Sequence, residues 1–431
     1  MFHLFSKYKE NQLVKNYTKV FSVDFLVRAS NFLLLPVYLK FMTQEEFGLY
    51  TYIFAIISTF SLVLNFGLYI PQSKLYQDYE KEEDRGTLVY TLNIVLASFL
   101  IFILSIIYLT GLDYQIVKLL FKKQINYESY RFYVLLAIVM TVYSYMITNY
   151  FLTSQKIKLV QLYNLSRVFF VNIIVIVFLN LLTYDKVEVR LQFNYVTEFS
   201  LLLIFGIFYV RAMKPRFEAD VARRSVKLAF PIMISALLGV VLNFSDRFFL
   251  EKYGDFRQLA VYNLGITISS VIPILFASFQ SIWLPFFFRE KNLYQNKEKT
   301  KKMIWKLSIF FCILSGIIFL VVYTAFYFNI ISEEYNAILS ILPIILITQI
   351  SVSLTPLFSN YIVYFESTYL ALYTGIPLAA ASICVNLLLI PKYGIYGAAL
   401  SALIINLSYL ILYFFISRHL IKKNLTSTNT V

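Results

Sequence analysis

The chain of 431 residues is poor in the residues that do most enzyme chemistry. It has two histidines, His3 and His419, at opposite ends. Histidines so far apart in the chain give no basis for a His-based catalytic centre or a zinc site. The two cysteines, Cys312 and Cys384, each lie in an apolar run without metal-ligand or redox spacing. They read as small hydrophobic residues. Charge is scarce: 14% of residues are Asp, Glu, Lys or Arg, where soluble domains carry about 25%. A Gly-rich phosphate loop ending in lysine is missing, which argues against ATP hydrolysis. So is the pattern of a cleavable signal peptide, since the polar, basic Met1–Lys19 stretch leads into an apolar run with no small-residue cleavage site after it. No cofactor and no metal are expected.

What the chain has instead is apolar surface. Hydrophobic residues make up 59% of it, with 42 Phe and 35 Tyr, and its mean hydropathy is +0.69. One core could not hide that much apolar surface from water. A lipid solvent removes the difficulty, and tyrosine suits the boundary where a ring meets headgroups. The net charge of +14 therefore reads as loop lysines and arginines of a membrane protein rather than as a nucleic-acid surface.

The fold class expected is an all-α polytopic membrane protein of about twelve transmembrane helices. Spans are expected near 20–41, 47–70, 88–111, 131–153, 159–182, 191–212, 225–250, 258–281, 303–327, 337–364, 369–391 and 396–418. With the N-terminus in the cytoplasm, about 25 Lys and Arg fall inside against about 10 outside, the positive-inside pattern. An even number of spans places both termini there. The outside segment from Leu112 to Tyr130 reads as a loop. The basic loop with Arg223 and Arg224 divides the chain into six-helix lobes, 1–215 and 216–431. The lobes form a weak parallel repeat. Glu45-Glu46-Phe47-Gly48-Leu49-Tyr50 follows the first helix, and Arg257-Gln258-Leu259-Ala260-Val261-Tyr262 follows the seventh. Transporters bind substrate between such halves.

The stretch from Leu33 to Leu68 resembles the N-terminal signature of polysaccharide biosynthesis flippases, through Pro36, Glu45, Phe47, Gly48, Tyr50, Gly67 and Leu68. Asp246-Arg247 followed by Tyr262 resembles the second half of that family. Pro391-x-Tyr393-Gly394-Ile395-x-Gly397-Ala398-Ala399 resembles its last hairpin. Ala260 departs from the family's usual glycine. The family comprises O-antigen and capsule repeat-unit exporters within the multidrug/oligosaccharidyl-lipid/polysaccharide superfamily. The resemblance implies a flippase that carries an undecaprenyl-diphosphate-linked oligosaccharide across the bacterial plasma (inner) membrane by alternating access, with no covalent chemistry. Its implied partners are that lipid-linked oligosaccharide, membrane lipid, and a polysaccharide polymerase with a chain-length regulator.

A carrier of such a substrate needs cations within the membrane for the diphosphate and polar walls for the sugar. Intramembrane charges are rare enough to count as functional candidates. Arg28 and Arg167 fall about 12 Å into their helices and could clamp phosphate oxygens. Arg28 has Asp24 four residues earlier, so mutual neutralisation is an equal alternative. Arg167 has no acidic residue at helical spacing. Arg247 is a third phosphate candidate, with interfacial snorkelling as its alternative. Asp24, Asp246 and Glu198 are candidates for coupling to a proton or sodium gradient or for pairing with an arginine. Asn31, Asn65, Asn243, Asn263 and Gln349 lie on polar stripes that would line a wet cavity or join helices. Two other readings stand beside this one. A multidrug antiporter would share the lobes and the acidic residue of the first helix. A membrane-embedded polymerase or glycosyltransferase would require a long outside loop with catalytic Arg or paired acids, and Leu112 to Tyr130 offers only Asp113 and Glu128.

Overall fold

The computed structural model describes residues 34–428 apart from 291, 366 and 368. The first expected span lies mostly outside these residues, and Asp24, Arg28 and Asn31 lie wholly outside them. The described residues fold into helices and short connections, with no strand among them.

Helix α1 (Leu35–Phe41) is followed by α2 (Gln44–Leu64), whose start shows why the acidic pair stands where it does. Thr43 is the N-cap. Its hydroxyl accepts from the Glu46 amide, and the Glu46 carboxylate accepts from the Thr43 amide at 2.8 Å. This reciprocal box satisfies donors that a helix start leaves unpaired. Phe47, Gly48 and Tyr50 then face the protein interior. In the second half Asp255 caps α10 (Phe256–Ser269) by accepting from the Gln258 amide at 2.8 Å, and Leu259, Ala260 and Tyr262 are buried. Tyr50 and Tyr262 each stand seven residues beyond their cap, so the weak sequence repeat corresponds to one helix start used twice.

Both of these helices break and restart. After α2, Phe66 and Gly67 take left-handed backbone (φ 55° and 67°), and α3 (Tyr69–Asp78) begins. After α10, Ser270 leads into α11 (Val271–Arg289). Pro71 and Pro273 are each the third residue of the restarted helix, where proline deprives the helix of no hydrogen bond.

The remaining helices of the first half are α4 (Glu82–Thr110), α5 (Leu112–Leu120), α6 (Tyr127–Thr153), α7 (Ile157–Leu181) and α8 (Lys186–Val210). Helix α5 corrects the expectation of a loop at Leu112 to Tyr130. Gly111 (φ 65°) turns the chain, and α5 lays Leu120 and its neighbours over α2, where the Tyr52 hydroxyl donates to the Leu120 carbonyl at 2.9 Å. Beside it, Arg131 holds Asp113 with two hydrogen bonds (2.6 and 3.3 Å) and donates to the Tyr108 carbonyl.

Next come α9 (Ala219–Tyr253), α12 (Leu293–Tyr327), α13 (Ile338–Tyr364) and α14 (Tyr369–Thr428). Helix α14 is interrupted at Gly394 (φ 53°, ψ −129°), backbone that only glycine adopts readily. Next to it a side-chain carbon on Gly397 would come within 2.3 Å of the Leu389 carbonyl oxygen. Both glycines of the last hairpin motif are thus required by its geometry.

Among the described residues, nine helices are long and apolar enough to cross a membrane, and the bent pair within α9 makes a tenth. The break at Gly394 divides α14 into two spans. Every span expected from the sequence except the first coincides with one of these segments. The protein is therefore a multi-pass membrane protein. The chain divides into two compact units, one holding Lys40–Val240 and the other 34–39 with Val241–Val431. The division falls inside α9, later than the 215/216 boundary read from the sequence.

Candidate functional site

In the first unit, α7 carries a buried stripe of Val160, Tyr163, Val171, Val175 and Leu179, and Arg167 falls in register with it. Arg167 opens a π-helical turn, Arg167–Val171, of the kind that marks functional positions in helices. Its Nη2 lies 2.8 Å from Oε1 of Glu198. Glu198 stands midway along α8, about 18 Å from either end. The carboxylate is almost fully enclosed (1% exposed), whereas 41% of the Arg167 side chain is open. The sequence left Arg167 without an acidic neighbour because that neighbour comes from the next helix.

Phenols surround the pair. Tyr163, one turn before Arg167, shares a 2.7 Å hydrogen bond with Ser144 of α6. Tyr195, one turn before Glu198, is buried, and its hydroxyl has no partner among the described residues. Asn65, at the C-cap of α2, is buried with its Oδ1 unpartnered among those residues. Other polar stripe residues hold helices together: the Ser61 hydroxyl donates to the Ile138 carbonyl.

Burying a carboxylate at mid-membrane is costly, and a paired guanidinium offsets that cost. One guanidinium has five N–H donors, and Nη2 is the nitrogen in ion-pair contact with Glu198. Among the described residues the other nitrogens of Arg167 make no hydrogen bond, so the group can hold Glu198 and still present donors to an anion.

In the second unit the adjacent Asp246 and Arg247 are both engaged. Asp246 accepts from the Tyr262 hydroxyl at 2.5 Å and from the Arg247 amide at 2.7 Å. Arg247 donates from Nε to Asn263 Oδ1 (2.9 Å) and from Nη1 to the Asn243 carbonyl (2.5 Å), with Asp246 3.9 Å away. The structure thus gathers four expected residues, Asn243, Asp246, Arg247 and Asn263, into one network that includes Tyr262. Gln349 is half-buried on α13 and makes no hydrogen bond among the described residues.

Two basic residues escaped the sequence reading. Arg190 on α8 stacks over the Tyr50 ring at 3.8 Å, and Arg131 closes the Asp113 pair. Arg190 has no acidic residue at helical spacing, and Arg131 pairs with Asp113 of another helix although Glu128 stands three residues before it, so only the packing reveals their roles. Outside the spans, Lys299 beside Glu290 holds that carboxyl below the usual carboxylate range. Among the described residues no group of histidine, cysteine and acidic side chains is placed to hold a metal ion.

No curated protein matches the sequence. Solved structures share its fold. An inward-facing multidrug resistance MATE family transporter of the MOP superfamily aligns with a TM-score of 0.75 at 13% identity, over 92% of this chain and 95% of its own. The lipid II flippase MurJ in an inward closed conformation aligns with a TM-score of 0.71 at 15% identity, over 91% of this chain and 87% of its own. A Vibrio cholerae MATE transporter aligns with a TM-score of 0.56 at 14% identity, over 96% of this chain and 95% of its own. The family model described as "Polysaccharide biosynthesis protein" matches residues 13–291, more than half of the sequence, and the chain belongs to that family.

Proposed function

We propose that the chain is a flippase that moves polyprenyl-diphosphate-linked oligosaccharide repeat units, of O-antigen or capsule type, from the cytoplasmic to the outer leaflet of the plasma membrane. The observation that carries this reading is Arg167, a mid-membrane guanidinium held by one carboxylate and left with spare donors. A diphosphate presents the anionic oxygens such donors fit. Family membership and a fold shared with a lipid II flippase support the substrate class.

Glu198 fixes the guanidinium in the empty carrier. A proton or sodium gradient drives the cycle through an intramembrane acid, for which Glu198, Asp246 and Asp24 are the candidates. Both termini lie in the cytoplasm, and a polysaccharide polymerase with its chain-length regulator receives the product. A second reading, multidrug antiport, rests on the likeness to the MATE transporter.

The test is translocation of a fluorescent polyprenyl-diphosphate oligosaccharide in proteoliposomes. Arg167→Ala is expected to reduce the rate at least tenfold, the loss of about 1.5–3 kcal/mol for hydrogen bonds to a charged group. Arg167→Lys, which keeps the charge and loses the fork, should fall between. A parent that moves no lipid but exchanges drug cations would replace this reading with antiport.

A further inference from the structure

The second unit contains a seam of buried polar atoms that the diphosphate site does not use. Helices α11 and α13 pack against each other. The Gln280 side chain on α11 donates from Nε2 to Oδ1 of Asn360 on α13 at 3.1 Å. That bond uses half of each amide. Gln280 Oε1 and Asn360 Nδ2 are enclosed and unpartnered among the described residues. Turning both amides over exchanges the labels and still leaves one donor and one acceptor unmet.

The same seam continues in both directions. One turn along α11, the indole of Trp283 is 8% exposed and its Nε1–H has no partner among the described residues. On α13, Gln349, Ser353 and Asn360 recur at four and seven residues, which places them on one face. Ser353 is 1% exposed and Asn360 is 6% exposed, and the Ser353 hydroxyl is unpartnered as well. The stripe spans about 17 Å at 1.5 Å per residue. Enclosed polar groups are nearly always hydrogen-bonded, so a row of unmet ones signals a partner.

The surrounding structure is tightly tied. Tyr361, next to Asn360, donates to Asn296 Oδ1 (3.0 Å) and Thr300 Oγ1 (3.1 Å) of α12. Asn296 donates to the Phe287 carbonyl at 2.8 Å. Phe279 stacks on the Trp283 ring at 5.8 Å. The Asn296 amide and the Thr300 and Tyr361 hydroxyls thus find partners, while the groups along the seam do not. The unmet set combines neutral donors and acceptors with aromatic rings and carries no charge. That chemistry suits sugar hydroxyls, each a donor and an acceptor at once, and suits neither a phosphate nor a cation.

We infer that the α11–α13 seam, with Gln280, Trp283, Ser353 and Asn360, is a binding subsite for the glycan of the carried lipid. This rests on the flippase reading. In the carrying cycle the seam parts and exchanges the Gln280–Asn360 bond for bonds to hydroxyls.

The experiment measures binding of two ligands to the detergent-solubilised full chain: a polyprenyl diphosphate bearing several sugars, and the same lipid diphosphate without sugars. The parent is expected to favour the glycosylated lipid about tenfold, the equivalent of one or two hydrogen bonds. Gln280→Leu with Asn360→Leu should erase that preference and leave affinity for the sugar-free lipid unchanged. Trp283→Phe, a milder change that keeps the ring, should weaken it part-way. Arg167→Ala should weaken both ligands equally. A parent that binds neither lipid defeats the flippase reading and this subsite with it. A parent that binds both lipids equally, or a double variant that keeps the preference while binding the sugar-free lipid normally, defeats the subsite alone. If the double variant loses both ligands, Gln280→Asn, which retains an amide, decides: normal binding of the sugar-free lipid without the preference upholds the subsite, and a kept preference or loss of both ligands defeats it.

Discussion

Arg131, Arg247 and Arg167 are the same residue under three different accounts. Arg131 gives two bonds to Asp113 and one to the Tyr108 carbonyl, and it lies over the rings of Tyr108 and Tyr114 at 4.1 and 4.7 Å. Three of its five N–H donors are thus claimed. Arg247 is held by Asn263, the Asn243 carbonyl and Asp246. Only Arg167, among these three, combines mid-span depth with unclaimed donors. The contrast is one of depth and exposure: 41% of the Arg167 side chain is open, against 15% of Arg131 and 19% of Arg247. Arg131→Ala is therefore expected to act on stability: it leaves the buried Asp113 carboxylate with only the Tyr127 hydroxyl and lowers the unfolding midpoint. Asp113→Asn in the same chain should recover part of that loss, because the stranded charge is then gone. Unfolding in mixed micelles would show both. If Arg131→Ala unfolds like the parent, the pair is a dispensable surface contact.

Helices in this protein are set by their ends as much as by their apolar faces. The Thr43–Glu46 box and the Asp255 cap start equivalent helices in the two halves, and glycine ends or turns others. The last hairpin is the strictest case. Gly394 occupies backbone that an L side chain resists, and Gly397 faces the Leu389 carbonyl with no room for a methyl group. Gly397→Ala must push the two limbs of α14 apart at the turn. A loss of roughly 1–3 kcal/mol is expected, the range for strain at a special backbone position. Gly316→Ala is the control, since a methyl group there meets nothing within 4 Å. A thermal-shift measurement in detergent should show Gly397→Ala melting below Gly316→Ala. Equal melting would mean the hairpin can open without cost.

At the scale of the whole chain, the spans were legible because lipid leaves the backbone few alternatives: an apolar run long enough to cross must be helical. Helices α3 and α5 were not legible. They are short, and Leu112–Leu120 shows its apolar spacing over too few turns to separate it from a loop. The Arg167–Glu198 pair was hidden for a different reason. Spacing rules detect partners one turn apart on one helix, and this pair joins neighbouring helices. The orphaned amides of the α11–α13 seam were visible as a polar stripe on α13, yet only packing shows that they lack partners. The loop charges, in contrast, make a statement about orientation that packing cannot make. Lys123 follows α5, and Lys301 lies near the start of α12. Between them run α6, α7, α8, α9 and the α10–α11 segment, an odd number of crossings, so the two lysines must face opposite sides. The orientation proposed from the positive-inside bias puts Lys301 in the cytoplasm. In a chain with Cys312→Ser and Cys384→Ser, Lys123→Cys should react with a membrane-impermeant maleimide in intact cells, and Lys301→Cys only after permeabilisation. The parent's own thiols sit within α12 and α14, inside the spans and out of reach of an impermeant reagent, and should stay unlabelled until detergent is added. The reverse labelling of the two lysine positions would invert the orientation and place the carrier's loading side on the outer face. Labelling of both positions in intact cells would break the crossing count itself, and with it the two-lobed reading of the chain.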